Sequence, residues 1–137
     1  MKLRKPAIAA VATAAACAAA FGIQTLNAQQ QPAFKRVELQ KQDLSTPGRE
    51  VVQARVEFDP GAGIGRHTHP GEEVTYVMEG TLLLEIDGQP ARTLQAGEVF
   101  FIPAGVIHAG RNSGSTPGKV LATYIVEKGK PLATLIK

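Results

Sequence analysis

The most regular alternation of apolar and polar positions runs from Glu50 to Phe58, "EVVQARVEF". Val52, Ala54, Val56 and Phe58 alternate there with Gln53, Arg55 and Glu57. A period of two sets one group of side chains against a core and the other toward water, which predicts a strand. "DPGAGIG" follows as a turn. Further strands are predicted over "EVTYVMEG", "TLLLEI", "ARTL" and "VFFIP". Another continues through "AGVIHAGRN", and the last, "KVLATYIVEKG", is rich in β-branched residues. "DGQP" and "QAGE" separate two pairs of them, and Asp-Gly readily adopts positive φ in a hairpin turn. Helical spacing of apolar residues is hard to find. Many short strands with turn signals at close intervals predict an all-β fold, either a sandwich or a barrel.

The amino terminus has a different pattern. Lys2, Arg4 and Lys5 precede an Ala-rich apolar run from about Ala7 to Phe21, and a short polar stretch ends in Leu-Asn-Ala at position 28. That order is the order of a secretory signal peptide, expected to span 1–28, with cleavage after Ala28. The apolar run is shorter than the roughly 20 residues a membrane helix needs, so no stable membrane insertion is expected after cleavage. Residues 29–36, "QQQPAFKR", read as a flexible polar leader, and 37–137 as one domain.

Cleavage changes the electrostatic picture. The chain has 15 Lys and Arg against 12 Asp and Glu. Losing Lys2, Arg4 and Lys5 balances the remainder to a formal charge of zero. No basic stripe remains to neutralise phosphates, so nucleic acid is not an expected partner. The single cysteine, Cys17, lies in the same segment, so the exported chain has neither a disulfide nor a thiolate ligand.

The candidate chemistry lies in "GRHTHPGEEV". His67 and His69 are two apart on a stretch expected to be extended, so both point to one face. Glu73 follows after a small turn, and Glu72, of opposite parity, faces away. His108, the third histidine of the chain, arrives from a distant strand after "PAGVI". Three imidazoles and a carboxylate suit one divalent transition metal: Fe(II) or Mn(II) are favoured, with Ni, Cu, Co or Zn possible. Four protein ligands on an octahedral ion leave two positions for water, dioxygen or substrate.

At these residues the chain resembles the cupin superfamily. One motif of that superfamily, G(x)5HxH(x)3-4E(x)6G, runs here through Gly61, His67, His69, Glu73 and Gly80. A second, G(x)5PxG(x)2H(x)3N, runs through Gly97, Pro103, Gly105, His108 and Asn112. Every spacing in both is met. The resemblance implies a single-domain antiparallel jelly-roll β-barrel and maps His67, His69, Glu73 and His108 onto the family's metal ligands. Gly61, Gly80, Gly97 and Asn112 read as structural. Small cupins commonly pair, so the resemblance also implies a homodimer.

Cupins carry many activities, and the residues narrow the choice. With all three histidines assigned to the metal, no free histidine base remains for sugar epimerisation. Glu73 and the absent cysteine depart from the thiol dioxygenases. By parity with Glu73, Thr75 and Val77 point inward, while Val74, Tyr76 and Met78 point outward. Of Phe100 and Phe101 one faces in and one out, and the pattern leaves open which. A mostly apolar interior favours a small, weakly charged organic substrate. The expectation is an exported, periplasmic or secreted, metal-dependent oxygenase resembling the quercetinase-like single-domain cupins, with Glu73 both ligand and proton acceptor. The alternative is a non-catalytic cupin of the cell envelope that binds a small ligand or the metal itself.

Overall fold

The computed structural model describes residues 33–137; the expected signal peptide, 1–28, lies outside the described residues. Ten strands follow in chain order: β1 (Phe34–Asp43), β2 (Arg49–Phe58), β3 (Gly63–Thr68), β4 (Gly71–Glu79), β5 (Thr81–Ile86), β6 (Arg92–Gln95), β7 (Val99–Ile102), β8 (His108–Asn112), β9 (Gly118–Glu127) and β10 (Thr134–Leu135). They form two five-stranded sheets, in the orders β1-β2-β9-β4-β7 and β10-β3-β8-β5-β6. All pairings are antiparallel, and the strand order crosses over as in a jelly roll.

The centre of the first sheet is the β2–β9 pair, ten residues in unbroken register from Arg49↔Glu127 to Phe58↔Gly118. Burial alternates strictly along both strands, which is what the period-two sequence pattern dictates. Their inward side chains meet those of β5, β6 and β7. Val56, Val77, Leu84, Leu94, Ile102 and Val120 are all at most 5% exposed and lie at the heart of the core.

Three features differ from the sequence pattern. First, β1 begins at Phe34, so residues 34–36 of the stretch read as a flexible leader are paired in the sheet. The physical reason is a partner the local sequence does not show: Phe34 stacks on Phe58, with ring centroids 6.2 Å apart. The rest of β1 is exposed or half-exposed, without a clean alternation, which is why no strand is legible there. Second, Gly63–Ile64–Gly65 belong to β3 rather than to a turn. Third, a two-residue strand, β10, closes the outer edge of β3.

The motif glycines sit where the backbone requires them. Gly61, Gly80 and Gly97 have φ of 79°, 80° and 95°, a region that only glycine enters without strain. Asn112 is buried at the end of β8. Its side-chain amide donates to the Phe58 and Thr116 carbonyls, and its Oδ1 accepts from the Gly114 N–H. It ties three chain segments together.

Candidate metal centre

His67 and His108 are register partners across the β3–β8 pair. The register shifts between Ile64 and His67: three residues along β3 oppose two along β8. This bulge matters for the site. Ile64 and His67 are an odd number apart and would face opposite sides of a regular strand, yet both line the same interior cavity. His69 lies just beyond β3, and its carbonyl accepts a hydrogen bond from the Gly105 N–H.

Glu73 comes from the other sheet. After His69 the chain turns through Pro70, whose carbonyl accepts from the Glu127 N–H, and enters β4 at Gly71. A Cβ on Gly71 would lie 2.0 Å from the Ile125 carbonyl oxygen, so only glycine lets β4 pass this close to β9. Two residues on, Glu73 faces the barrel interior. Glu72 faces out and pairs with Arg49 at 2.6 Å. The adjacent glutamates are thus separated by strand parity.

The three histidines are 4–5% exposed and Glu73 6%. One nitrogen from each of the three rings lies within 4.8 Å of the others. Glu73 Oε2 is 3.1 Å from His69 Nε2 and 3.2 Å from His108 Nε2. Its other oxygen, Oε1, accepts a 2.6 Å hydrogen bond from the Thr75 hydroxyl.

The rings are oriented by backbone carbonyls. His67 Nδ1 donates to Gly65 O (2.7 Å), His69 Nδ1 to Leu132 O (2.6 Å) and His108 Nδ1 to Val106 O (2.9 Å). A carbonyl can only accept, so each Nδ1 carries a hydrogen, and in the neutral ring Nε2 is left as a lone pair. This is the arrangement that fixes metal-ligating imidazoles elsewhere. His69 Nε2 is, among the described residues, the one buried side-chain nitrogen or oxygen without a hydrogen-bond partner. It has the distance to Glu73 Oε2 for a hydrogen bond but not the direction. Buried imidazole lone pairs beside a carboxylate fit a divalent cation, and the donor set is that of one transition-metal site.

In the metal-free site these groups shift one another's protonation. Burial pushes the Glu73 carboxyl up, but His108, His69 and Thr75 together outweigh it and hold it at about 2. Burial pulls His108 down; contact with Glu73, helped by the Val106 carbonyl, reverses this and raises it. Burial pulls His67 below the ordinary histidine range, more strongly than the Gly65 carbonyl raises it.

A cavity of about 40 Å³ opens beside the cluster, lined by His67, Glu73 and His108 and otherwise mostly by aliphatic side chains, Phe58 and Phe100. Thr75 and Val77 are buried, whereas Val74, Tyr76 and Met78 are 41–45% exposed, as parity predicts. Phe100 is the inward phenylalanine, and Phe101 is 54% exposed. Sequence reasoning overlooked Tyr124. Its ring lies 4.7 Å from that of His69 and lines the cavity, and burial raises its phenol. The alternation Val120, Ala122, Tyr124, Val126 in the last long strand carried the signal for it. The Leu132 carbonyl had no signal, because backbone acceptors leave no trace in side-chain identity.

A family model described as "Cupin domain" matches residues 54–124, just over half of the chain. The chain is a cupin. Among curated relatives, this cupin is 37% identical over 79 residues to a germin-like protein (subfamily 2 member 2) of Arabidopsis thaliana, covering 54% of this chain and 36% of that one. It is 35% identical over 86 residues to the rhicadhesin receptor of Pisum sativum, covering 59% and 39%. The cupin therefore spans less than half the length of the curated relatives it matches. Among solved structures, an oxalate oxidase in complex with the substrate analogue glycolate superposes with a TM-score of 0.62 at 28% identity, over 79% of this chain and 57% of that one. A cupin superfamily protein from Desulfitobacterium hafniense superposes with a TM-score of 0.59 at 20% identity, over 69% and 79%, which speaks to the fold.

Proposed function

We propose that this cupin is an exported, metal-dependent oxygenase acting on a small, weakly charged organic molecule. The observation that carries the reading is the buried cluster of three histidines and one glutamate against an apolar cavity of about 40 Å³. His67, His69, Glu73 and His108 are the proposed ligands, with Fe(II) or Mn(II) the favoured ion. When bound, that ion supplies redox activity toward dioxygen and polarises an oxygen atom of the organic partner. A reaction that places both atoms of dioxygen in the product needs no separate reductant.

The chain's own residues divide the remaining work. The apolar wall excludes water and accommodates a small apolar molecule such as dioxygen. Lys and Arg are absent from that wall, so a second carboxylate on the substrate would find no cationic side chain there. Glu73 Oε2 is the proposed proton acceptor. It accepts the substrate proton after detaching from the cation, when its lone pair is free. The likeness to an oxalate oxidase supports chemistry between a metal, dioxygen and a small oxygen-rich molecule.

The small cavity volume favours a second reading, a non-catalytic cupin of the cell envelope that holds the metal or a small ligand. Dioxygen uptake separates the two. Protein loaded with Fe(II) or Mn(II) is expected to consume dioxygen with at least one member of a broad panel of phenols and enols. Metal-loaded protein that consumes none would overturn the oxygenase reading and leave the second.

Export to the periplasm or medium rests on the signal-like segment 1–28. A homodimer is the proposed assembly, supported by an apolar patch on the outer face of the first sheet, where exposed Val74 pairs with Phe101 and Tyr76 with Val99. Sedimentation of the wild type as a monomer at micromolar concentration would exclude it.

A further inference from the structure

Glu73 and Thr75 are two apart on the inward face of β4, and Thr75 is completely buried. Between them they split the carboxylate's two oxygens. Oε1 accepts the Thr75 Oγ1 hydrogen bond at 2.6 Å, while Oε2 faces His69 and His108 at 3.1 and 3.2 Å. A hydroxyl has one hydrogen to give, and here it goes to Oε1. Apart from the cluster itself, Tyr124 is the one hydroxyl on the cavity wall, and it packs against His69. Tyr124 stands opposite Glu73 across the β4–β9 pair but makes no hydrogen bond to it, so Thr75 is the hydroxyl that Oε1 uses.

A carboxylate can bind a cation through one oxygen or both. The second mode consumes a coordination position that would otherwise take an external molecule. We propose that Thr75 is a positioning residue: by occupying Oε1 it holds Glu73 to single-oxygen coordination and so preserves an open position at the metal. This rests on the metal-binding reading above. Without the hydroxyl, Oε1 is buried and unpaired, a costly state. Rotation of the carboxylate to place both oxygens on the cation relieves it. Thr75 thus acts on how many external ligands the site accepts, besides its effect on affinity.

The test uses Co(II), whose visible absorption reports coordination number, in the wild type and in Thr75→Val and Thr75→Ser. Valine keeps the volume and removes the donor, whereas serine keeps the donor. Binding of azide to the Co(II)-loaded proteins reads the open position directly. Thr75→Val is expected to shift the Co(II) spectrum, weaken azide binding at least tenfold and change metal affinity by ten- to a hundredfold. Thr75→Ser is expected to restore the wild-type spectrum and azide affinity. Wild-type spectrum and azide binding in Thr75→Val would overturn the proposal while leaving the metal site intact. Failure of the wild type itself to take up Co(II) or any other divalent ion would overturn the metal reading, and this inference with it. Should Thr75→Val not retain the β-rich circular dichroism of the wild type, Thr75→Ala replaces it in the same comparison.

Discussion

The β2–β9 and β3–β8 pairs belong to opposite sheets of one barrel and are built on different rules. The first runs ten residues without a break, its inward positions apolar except for Glu50 at one end and Gly118 at the other. The second is short, interrupted by a bulge, and contributes two histidines as register partners. The regular pair spends its pattern on burial. The irregular pair departs from the pattern at the point where it presents chemistry, and the extra residue in β3 brings Ile64 and His67 to the same cavity. Regularity supplies the scaffold, and a controlled irregularity aims the ligands.

The sharpest way to break that contrast is to remove a ligand from the irregular pair. His108→Ala is expected to abolish stoichiometric metal binding while retaining a β-rich fold, because the β2–β9 scaffold does not depend on it. Elemental analysis of the purified variant checks this, and full metal occupancy would contradict it. The complementary change is Val56→Ala, in the regular pair and 2% exposed. It is expected to cost about 2 kcal/mol of stability from lost burial plus cavity formation, with metal stoichiometry unchanged. Urea denaturation beside metal analysis separates the two effects.

Acid tests the site of the metal-free protein without mutation. The Glu73 carboxyl is depressed from 4.5 to about 2. A depressed carboxyl adds stability that is fully present above pH 4.5 and drains away as pH falls toward about 2. Glu73→Gln is expected to flatten that part of the stability profile; an unchanged profile between pH 5 and 2 would show that the carboxylate contributes nothing there. The smallest effect belongs to Glu72→Gln. It breaks a half-exposed pair with Arg49 and is expected to cost about 0.5 kcal/mol and no metal. Loss of metal from that variant would mean that parity along β4 assigns the two glutamates wrongly.

What the sequence makes legible follows the same division. The alternation of Val52, Ala54, Val56 and Phe58 reads directly as a strand, and parity along β4 places Thr75 and Val77 inward and Tyr76 outward. The two motif spacings bring His67, His69, Glu73 and His108 to one place. Three things resist such reading. The pairing of β1 depends on Phe58, 24 residues from Phe34 and across a turn. The β3 bulge is a property of register, which only the partner strand defines. The hydrogen bonds that orient the imidazoles go to backbone carbonyls, and any residue type supplies one.

One of those carbonyls sets the order in which the site can be made. His69 is held through Leu132, 63 residues further along the chain. The segment that provides it follows β9, the strand against which both β2 and β4 are laid. A chain emerging from its amino terminus therefore has both histidines of "HTH" in hand long before it can orient the second. Placement of the His69 ring waits for the segment beyond β9, so the centre is complete only after every long strand of the barrel has been made, and a chain cut directly after β9 would present His69 without the carbonyl that orients it.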